Sequence, residues 1–477
     1  MDASAERANI GLIGAIVAVA TIGGLLFGYD SGAVNGTQPG LTHAFALDSA
    51  GLGFTVGSLL IGCFIGAFFA GTLADRLGRR NVMRVSAVLF LIGALAQGLV
   101  ADHTLFVIAR IIGGMAVGAA SVLSPAYISE VAPANIRGRM TTVQQIMIIS
   151  GLTAAFFANY YLAAAAARPG VAGDVPSLNP LWLGIEAWRW MYLMQSIPAV
   201  IFLVALYFIP ESPRYLVAKG RNEEALSVLT RLFGTTQGAL KLAEIQGSFS
   251  KDHKPRLADV LAPTGGFLGI RSIVWAGLLL AVFQQLVGIN VIFYYGATLW
   301  QAAGFTENDS LIINIISGSI SIVACFVTVA LVDKIGRKPL LLIGSAGMAV
   351  TLFIMVYAFS TGTIEGETLV LPGSMGKVAV AAALAYSALF NISWGPVMWV
   401  MLGEMFPNQL RGSALAVCGF AQWFANYLIA QSFPVMLAGL GLATSYSFYA
   451  ICAAISFFLV QKFIHETKGK ELEAMEG

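Results

Sequence analysis

The stretch "LADRLGRR" at residues 73–80 returns as "LVDKIGRK" at 331–338. A second pair keeps the same order: "EVAPANIRG" at 130–138 and "EMFPNQLRG" at 404–412 share Glu, Pro, Arg and Gly at identical spacing. Two coincidences in register mean that the chain is built twice from one unit. Gly78 and Gly336 permit a tight turn, and the cations after them, Arg79, Arg80, Arg337 and Lys338, stay in water. Glu130 and Glu404 fall near helix ends, within reach of Arg137, Arg411 or the loop cations.

Between these motifs the chain is apolar. Of its 477 residues 57% are hydrophobic and 11% charged, with a mean hydropathy of +0.79; soluble domains carry about 25% charged residues. Runs of about 20 apolar residues, enough to cross a bilayer, fall near 10–36, 51–74, 82–101, 104–129, 140–163, 188–209, 270–300, 308–332, 339–360, 377–403, 412–432 and 441–464. The expectation is an all-α membrane protein with twelve transmembrane helices in two pseudo-symmetric six-helix bundles. Residues 1–210 form the first bundle and 270–464 the second, with a cytoplasmic helical linker at 211–269 and a cytoplasmic tail at 465–477.

With the N-terminus inside, all but Arg110, Arg168, Arg189 and Lys377 of the 27 Lys and Arg residues fall on the cytoplasmic side. That bias places both termini in the cytoplasm and makes the net charge of +2 a topology signal, with no nucleic-acid surface. The first span reads as retained, without a small-residue cleavage site before Asp30. Cys63, Cys325, Cys418 and Cys452 lie singly in apolar runs, with no metal or disulfide spacing. His43 and His103 fall in outer loops and His253 and His465 in the cytoplasm. No nucleotide loop, metal-ligand cluster or nucleophile–base constellation is recognisable, so neither an enzyme nor a cofactor is expected.

Two charges remain inside spans: Asp30, in "GGLLFGYDSGAV" at 23–34, and Arg110. A lone charge at the bilayer centre costs about 2.5–3.5 kcal/mol on insertion scales, and helices of one bundle can bring these two together. Burial favours the neutral acid and a neighbouring arginine favours the carboxylate. A balanced pair can therefore exchange a proton when a cavity opens; the alternative is a static ion pair.

The chain resembles the sugar porters of the major facilitator superfamily over essentially its whole length. The resemblance rests on "GTLADRLGRR", "RIIGG" (110–114), "SPAYISEVAPANIRGR", "PESPRYL" (210–216), "QQLVGINVIFYYG" (284–296), "VDKIGRKP", "SWGPVMWV" (393–400) and "EMFPNQLRG". It implies a central sugar site and alternating access by rocking of one bundle against the other. It also implies a cytoplasmic latch in the outward-facing state, built from Asp75, Arg79, Arg80, Glu130, Arg137 and Glu211 in one half and Asp333, Arg337, Lys338, Glu404, Arg411 and Glu466 in the other. In the family an aspartate at the position of Asp30 marks proton symporters, which makes Asp30 the proton carrier and Arg110 its partner. One departure is "HETKG" at 465–469, where the family has Pro-Glu-Thr-Lys-Gly.

A sugar offers donors, acceptors and apolar faces, which suit amides and an indole. By the resemblance Gln145, Gln284, Gln285, Asn290, Trp394 and Gln422 match the family's sugar contacts, with Phe27, Tyr294, Trp423 and Asn426 nearby. The alternative for any one amide is bonding between helices. Gly288 and Gly296 in the seventh span, and Gly395 with Pro396 in the tenth, are expected breaks. Ser321 stands where many sugar porters carry Asn, and Leu152 where a xylose-transporting relative carries Gln. The expectation is a proton-coupled monosaccharide symporter for a pentose or hexose such as xylose or glucose, working as a monomer in a bacterial inner membrane. Its partners would be the sugar, a proton and the lipid bilayer. A facilitative uniporter and a non-transporting sugar sensor are the alternatives.

Overall fold

Backbone polar groups in hydrocarbon must pair within their own segment, so long apolar runs become helices. A computed structural model of the chain, describing residues 8–133, 137–171, 173–249, 260–261, 267–365 and 368–468, has this form. The first five spans are α1 (Ile10–Phe45), α2 (Ser49–Leu77), α3 (Arg79–Leu99), α4 (His103–Val131) and α5 (Arg137–Ala166); the sixth is split into α6 (Ala187–Leu193) and α7 (Ser196–Ala205). Three shorter helices follow, α8 (Pro213–Ala218), α9 (Asn222–Phe233) and α10 (Thr235–Phe249). The seventh span is α11 (Ser272–Leu286) with α12 (Ile289–Ala302), then come α13 (Glu307–Ile335) and α14 (Arg337–Ser360). The tenth is α15 (Met375–Ile392) with α16 (Trp394–Met405), and α17 (Asn408–Phe463) ends the bundle. A short hairpin, β1 (Thr363–Glu365) and β2 (Thr368–Val370), precedes α15.

Among the described residues eleven stretches, where twelve were expected, are long and apolar enough to cross a membrane. The difference lies in α17, whose 56 residues would run about 84 Å at 1.5 Å per residue, against an apolar bilayer core of about 30 Å. Gly441, at φ 74° and ψ 175°, interrupts it and divides the stretch into two crossings.

In lipid no hydrophobic force drives helices together, so small residues and close approach must do so. Carbonyls of Ile148 and Leu152 on α5 occupy the space that a Cβ would need at Gly28 and Gly32 of α1. Between α2 and α4, Gly62 and Gly66 meet the backbone of Ile111 and Met115 in the same way. The turns into α3 and α14 are near-copies: Gly78 sits at φ 97° and ψ 153°, Gly336 at φ 103° and ψ 167°. A side chain there would be strained, which is why both halves keep glycine.

Of the expected breaks the one at Gly288 holds, Gly296 is not one, and that at Gly395–Pro396 falls slightly upstream. Gly296 lies inside continuous α12, and the seventh span breaks at Gly288 (φ 83°). In the tenth span the break falls at Ser393 (φ −123°, ψ −92°), ahead of Gly395–Pro396. Proline clashes with the carbonyl four residues before it and has no N–H to give, so α15 ends at Ile392 and Pro396 sits in the first turn of α16.

Candidate functional site

The two breaks expose backbone groups at membrane depth, and side chains satisfy them. Tyr386 donates to the carbonyl of Val287 (2.6 Å), and Thr328 to those of Asn391 and Ile392 (both 2.9 Å). Gln284 of α11 donates across to the carbonyls of Trp394 (3.1 Å) and Gly395 (3.3 Å). From Gln284 a continuous amide network runs outward. Its oxygen accepts from Gln285 and Gln422 (each 3.3 Å), Asn290 donates to Gln285 (2.6 Å) and Asn426 (2.8 Å), and Asn426 donates to the Tyr294 hydroxyl (3.0 Å). The carbonyl oxygen of Gln422 stays buried without a partner among the described residues. Such a cluster holds donors and acceptors in fixed positions with capacity left for hydroxyls.

The first half supplies the opposite wall. The ring of Phe27 on α1 meets Trp423 of α17 edge-on, with centroids 5.3 Å apart. Gln145 on α5 is half-buried and makes no hydrogen bond among the described residues. Trp394 is placed differently from a stacking residue: its side chain is buried, and its indole donates to the Leu341 carbonyl (3.1 Å) and Ser345 (2.9 Å). Its contribution to the amide network is its carbonyl. Ser321 is buried with its hydroxyl unpartnered among the described residues, and Leu152 is packed against α1.

Asp30 and Arg110 come together. Their side chains are 0% and 1% exposed, and Nη2 of Arg110 stands 3.6 Å from Oδ2 of Asp30. This is an ion pair without a hydrogen bond, and neither carboxyl oxygen of Asp30 accepts one by distance and angle. Arg110 instead donates to Gln97 of α3 (3.0 Å) and to the Val56 carbonyl of α2 (3.1 Å). Gln195, fully buried at the α6–α7 break, faces Asp30.

Above this level the bundles are locked by residues that sequence reasoning missed. Asn35 donates to the carbonyls of Ile292 (3.2 Å) and Phe293 (2.9 Å) and accepts from the Ala297 N–H (2.8 Å) and from Asn314 (2.9 Å). Phe293 C=O and Ala297 N–H are the two groups that an α-helix pairs with each other, so the amide of one bundle spans a rung of a helix in the other. Gln38 adds bonds to the Tyr294 carbonyl and to Thr298. Leu162, Ala163 and Met191 pack with Ala297 and Leu311 in an apolar cluster at the same end. An amide inside an apolar run was the available signal for Asn35, within the expected span 10–36, whereas Gln38 lies beyond it.

At the end of the bundles that carries the repeated loop motifs each half keeps its own charges. Arg79 pairs with Asp75 (2.9 Å) and Glu130 (3.2 Å); Arg337 pairs with Asp333 (2.9 Å) and Glu404 (2.8 Å). Glu211 accepts from the N–H groups of Arg80 (3.1 Å) and Ser212 (2.9 Å), and Glu466 from those of Arg337 (3.1 Å) and Lys338 (2.9 Å). Each carboxylate thus caps the N-terminus of α3 or α14, where the helix dipole favours an anion. Ser212 donates to Glu130 as Thr467 does to Glu404, and Arg80 to the Ile209 carbonyl as Lys338 does to that of Gln461. So Glu466 and Thr467 of "HETKG" form the contacts of Glu211 and Ser212 in "PESPR", with His465 in place of proline. Partial burial opposes ionisation of Glu466, but backbone donors from Lys468, Arg337, Lys338 and Thr467 outweigh it and lower its pKa below the ordinary range. The side chains of Arg137 and Arg411 lie outside the described residues. The bundles are held together at the Asn35 end, and at the opposite end the ion pairs named here each lie within one half.

Comparison with known proteins agrees with this geometry. A family model described as "Sugar (and other) transporter" matches residues 16–477. The chain is 45% identical to the glucose transport protein of Synechocystis sp. over 99% of its length and 98% of that protein's. It is 38% identical to the D-xylose-proton symporter of Escherichia coli, over 98% of this chain and 96% of that one. The partially occluded inward open conformation of the E. coli xylose transporter XylE superposes with a TM-score of 0.81, at 36% identity, covering 97% of this chain and 100% of that one.

Proposed function

Because the chain belongs to the sugar (and other) transporter family, a family of multi-pass membrane transporters, we propose that it is a proton-coupled monosaccharide symporter. The substrate would be a pentose or hexose, moved by alternating access. The observation that carries this reading is the buried Asp30–Arg110 pair, whose helix α1 also packs against α12 of the amide network, since a fully buried carboxylate held only by an arginine at 3.6 Å and a facing amide is poised to hold a proton. Relatives named as a glucose transport protein and a D-xylose-proton symporter support the substrate class. On this reading Gln145, Gln284, Gln285, Asn290, Gln422 and Asn426, with Phe27, Tyr294, Trp394 and Trp423, form the sugar site, and Asp30 carries the proton.

The glutamates and cations of the cytoplasmic ends form the latch that re-engages across the bundles when the outer gate opens. Residues 1–210 and 270–464 are the moving bundles, joined by the linker 211–269 and followed by the tail 465–477. Both termini lie in the cytoplasm of a bacterial inner membrane, and one monomer suffices. The test is uptake of labelled pentoses and hexoses into proteoliposomes with and without an imposed proton gradient. Uphill accumulation of at least one sugar, dependent on the gradient, is expected. Gradient-independent equilibration makes the chain a uniporter, and binding without uptake makes it a sensor; either overturns symport.

A further inference from the structure

The site just described leaves Gln97 without a role, although it is a buried amide, 1% exposed, on a helix that carries none of the sugar contacts. Its oxygen accepts from Nη1 of Arg110 at 3.0 Å, while Nη2 is taken by the Val56 carbonyl at 3.1 Å. Both terminal nitrogens thus give a hydrogen bond away from the carboxylate, and the guanidinium stands 3.6 Å from it with no hydrogen bond between them. Hydrogen bonds to a charged donor are the strong ones, about twice a neutral bond, so Gln97 is a real competitor for the arginine.

We propose that Gln97 is a positioning residue for proton coupling: by drawing the Arg110 guanidinium away from Asp30 it sets how readily the aspartate takes up a proton. The inference rests on the symport reading above. Arg110 on α4 is the charged group facing Asp30. The other titratable groups around the pair are Cys63 on α2, Tyr192 on α6, and Tyr294 and Tyr295 on α12, with the neutral amide of Gln195 beside them. Helix α5 brings Ile148, Leu152 and Ala155, none of which titrates. With a setting otherwise so poor in charge, the distance of one arginine dominates the aspartate's proton affinity.

Two substitutions push this distance in opposite directions. Gln97→Met keeps the length and removes the acceptor, freeing Arg110 to close on Asp30. Gln97→Glu strengthens the competing acceptor and adds a negative charge. In proteoliposomes the readout is the pH midpoint of gradient-driven sugar uptake, which does not depend on the amount of active protein. Gln97→Met should require about tenfold more protons, an acid shift of about one pH unit, and Gln97→Glu should shift the midpoint to alkaline pH. Midpoints that coincide with the parent, or that move in the same direction in both variants, overturn the proposal, as does loss of sugar exchange in both, which marks a purely structural residue. If Gln97→Met alone is inactive, the sign of the Gln97→Glu shift decides. Parent protein whose uptake ignores the proton gradient overturns the symport reading instead.

Discussion

At the scale of the residue, function concentrates in groups whose partners are incomplete. Asp30→Asn keeps the size of the side chain and removes its proton, so sugar exchange between equal compartments should persist while pH-driven accumulation is lost. Exchange of labelled against unlabelled sugar, measured beside accumulation, separates the two; undiminished accumulation would remove Asp30 from the mechanism. Glu466 behaves differently, since its lowered pKa arises from backbone donors and serves structure. A carboxylate with a depressed folded pKa stabilises the fold above its unfolded value, about 4.5, and loses that contribution as the pH falls through the folded value. Glu466→Gln should therefore melt below the parent at neutral pH, with the difference vanishing under acid conditions; a gap constant down to pH 3 would contradict the assignment.

Among the elements, α12 is the one that changes partners. Asn35 holds its Phe293–Ala297 rung from the opposite bundle, and Gly296 leaves room for the amide: a Cβ there would stand against the side chains of Asn314 and Asn35. Asn35→Leu removes the clamp on that rung, which should loosen the seal at this end of the bundles. A cysteine placed at Thr298, probed with a membrane-impermeant thiol reagent, should then label faster, by about 5-fold or more if the lost bonds are worth 1 kcal/mol or above. Unchanged labelling would show that the apolar cluster of Leu162, Met191 and Leu311 seals the gate alone. Much of the site was legible in the sequence because its members are amides within apolar runs: Gln284, Gln285, Asn290, Gln422 and Asn426 gather in one network. The partners of Asn35 and Gln38 were not legible, because they are chiefly backbone groups of α12, and a backbone acceptor leaves no mark in a sequence. Trp394 was read from its indole, whereas the fold uses its carbonyl.

For the whole molecule the internal repeat is the organising fact. The motifs at 73–80 and 331–338 announced it, and the structure extends it to Glu211–Ser212 and Glu466–Thr467, which differ in their neighbours yet cap α3 and α14 alike. Equivalent but distant sites should act independently. The melting shifts of Glu130→Gln and Glu404→Gln should therefore add in the double variant when measured in detergent, and a combined shift well short of the sum would mean that the halves melt through a shared contact. The clamp at Asn35 bears on energy as well as geometry. When that amide withdraws, Phe293 C=O and Ala297 N–H are left placed to pair with one another, so the helix backbone gives up no hydrogen bond on opening. A hinge whose backbone stays paired has only the side-chain bonds of Asn35 to give up, which limits the free energy separating its two end states. The direction of net transport, uptake or efflux from a loaded cell, is then left to the gradients.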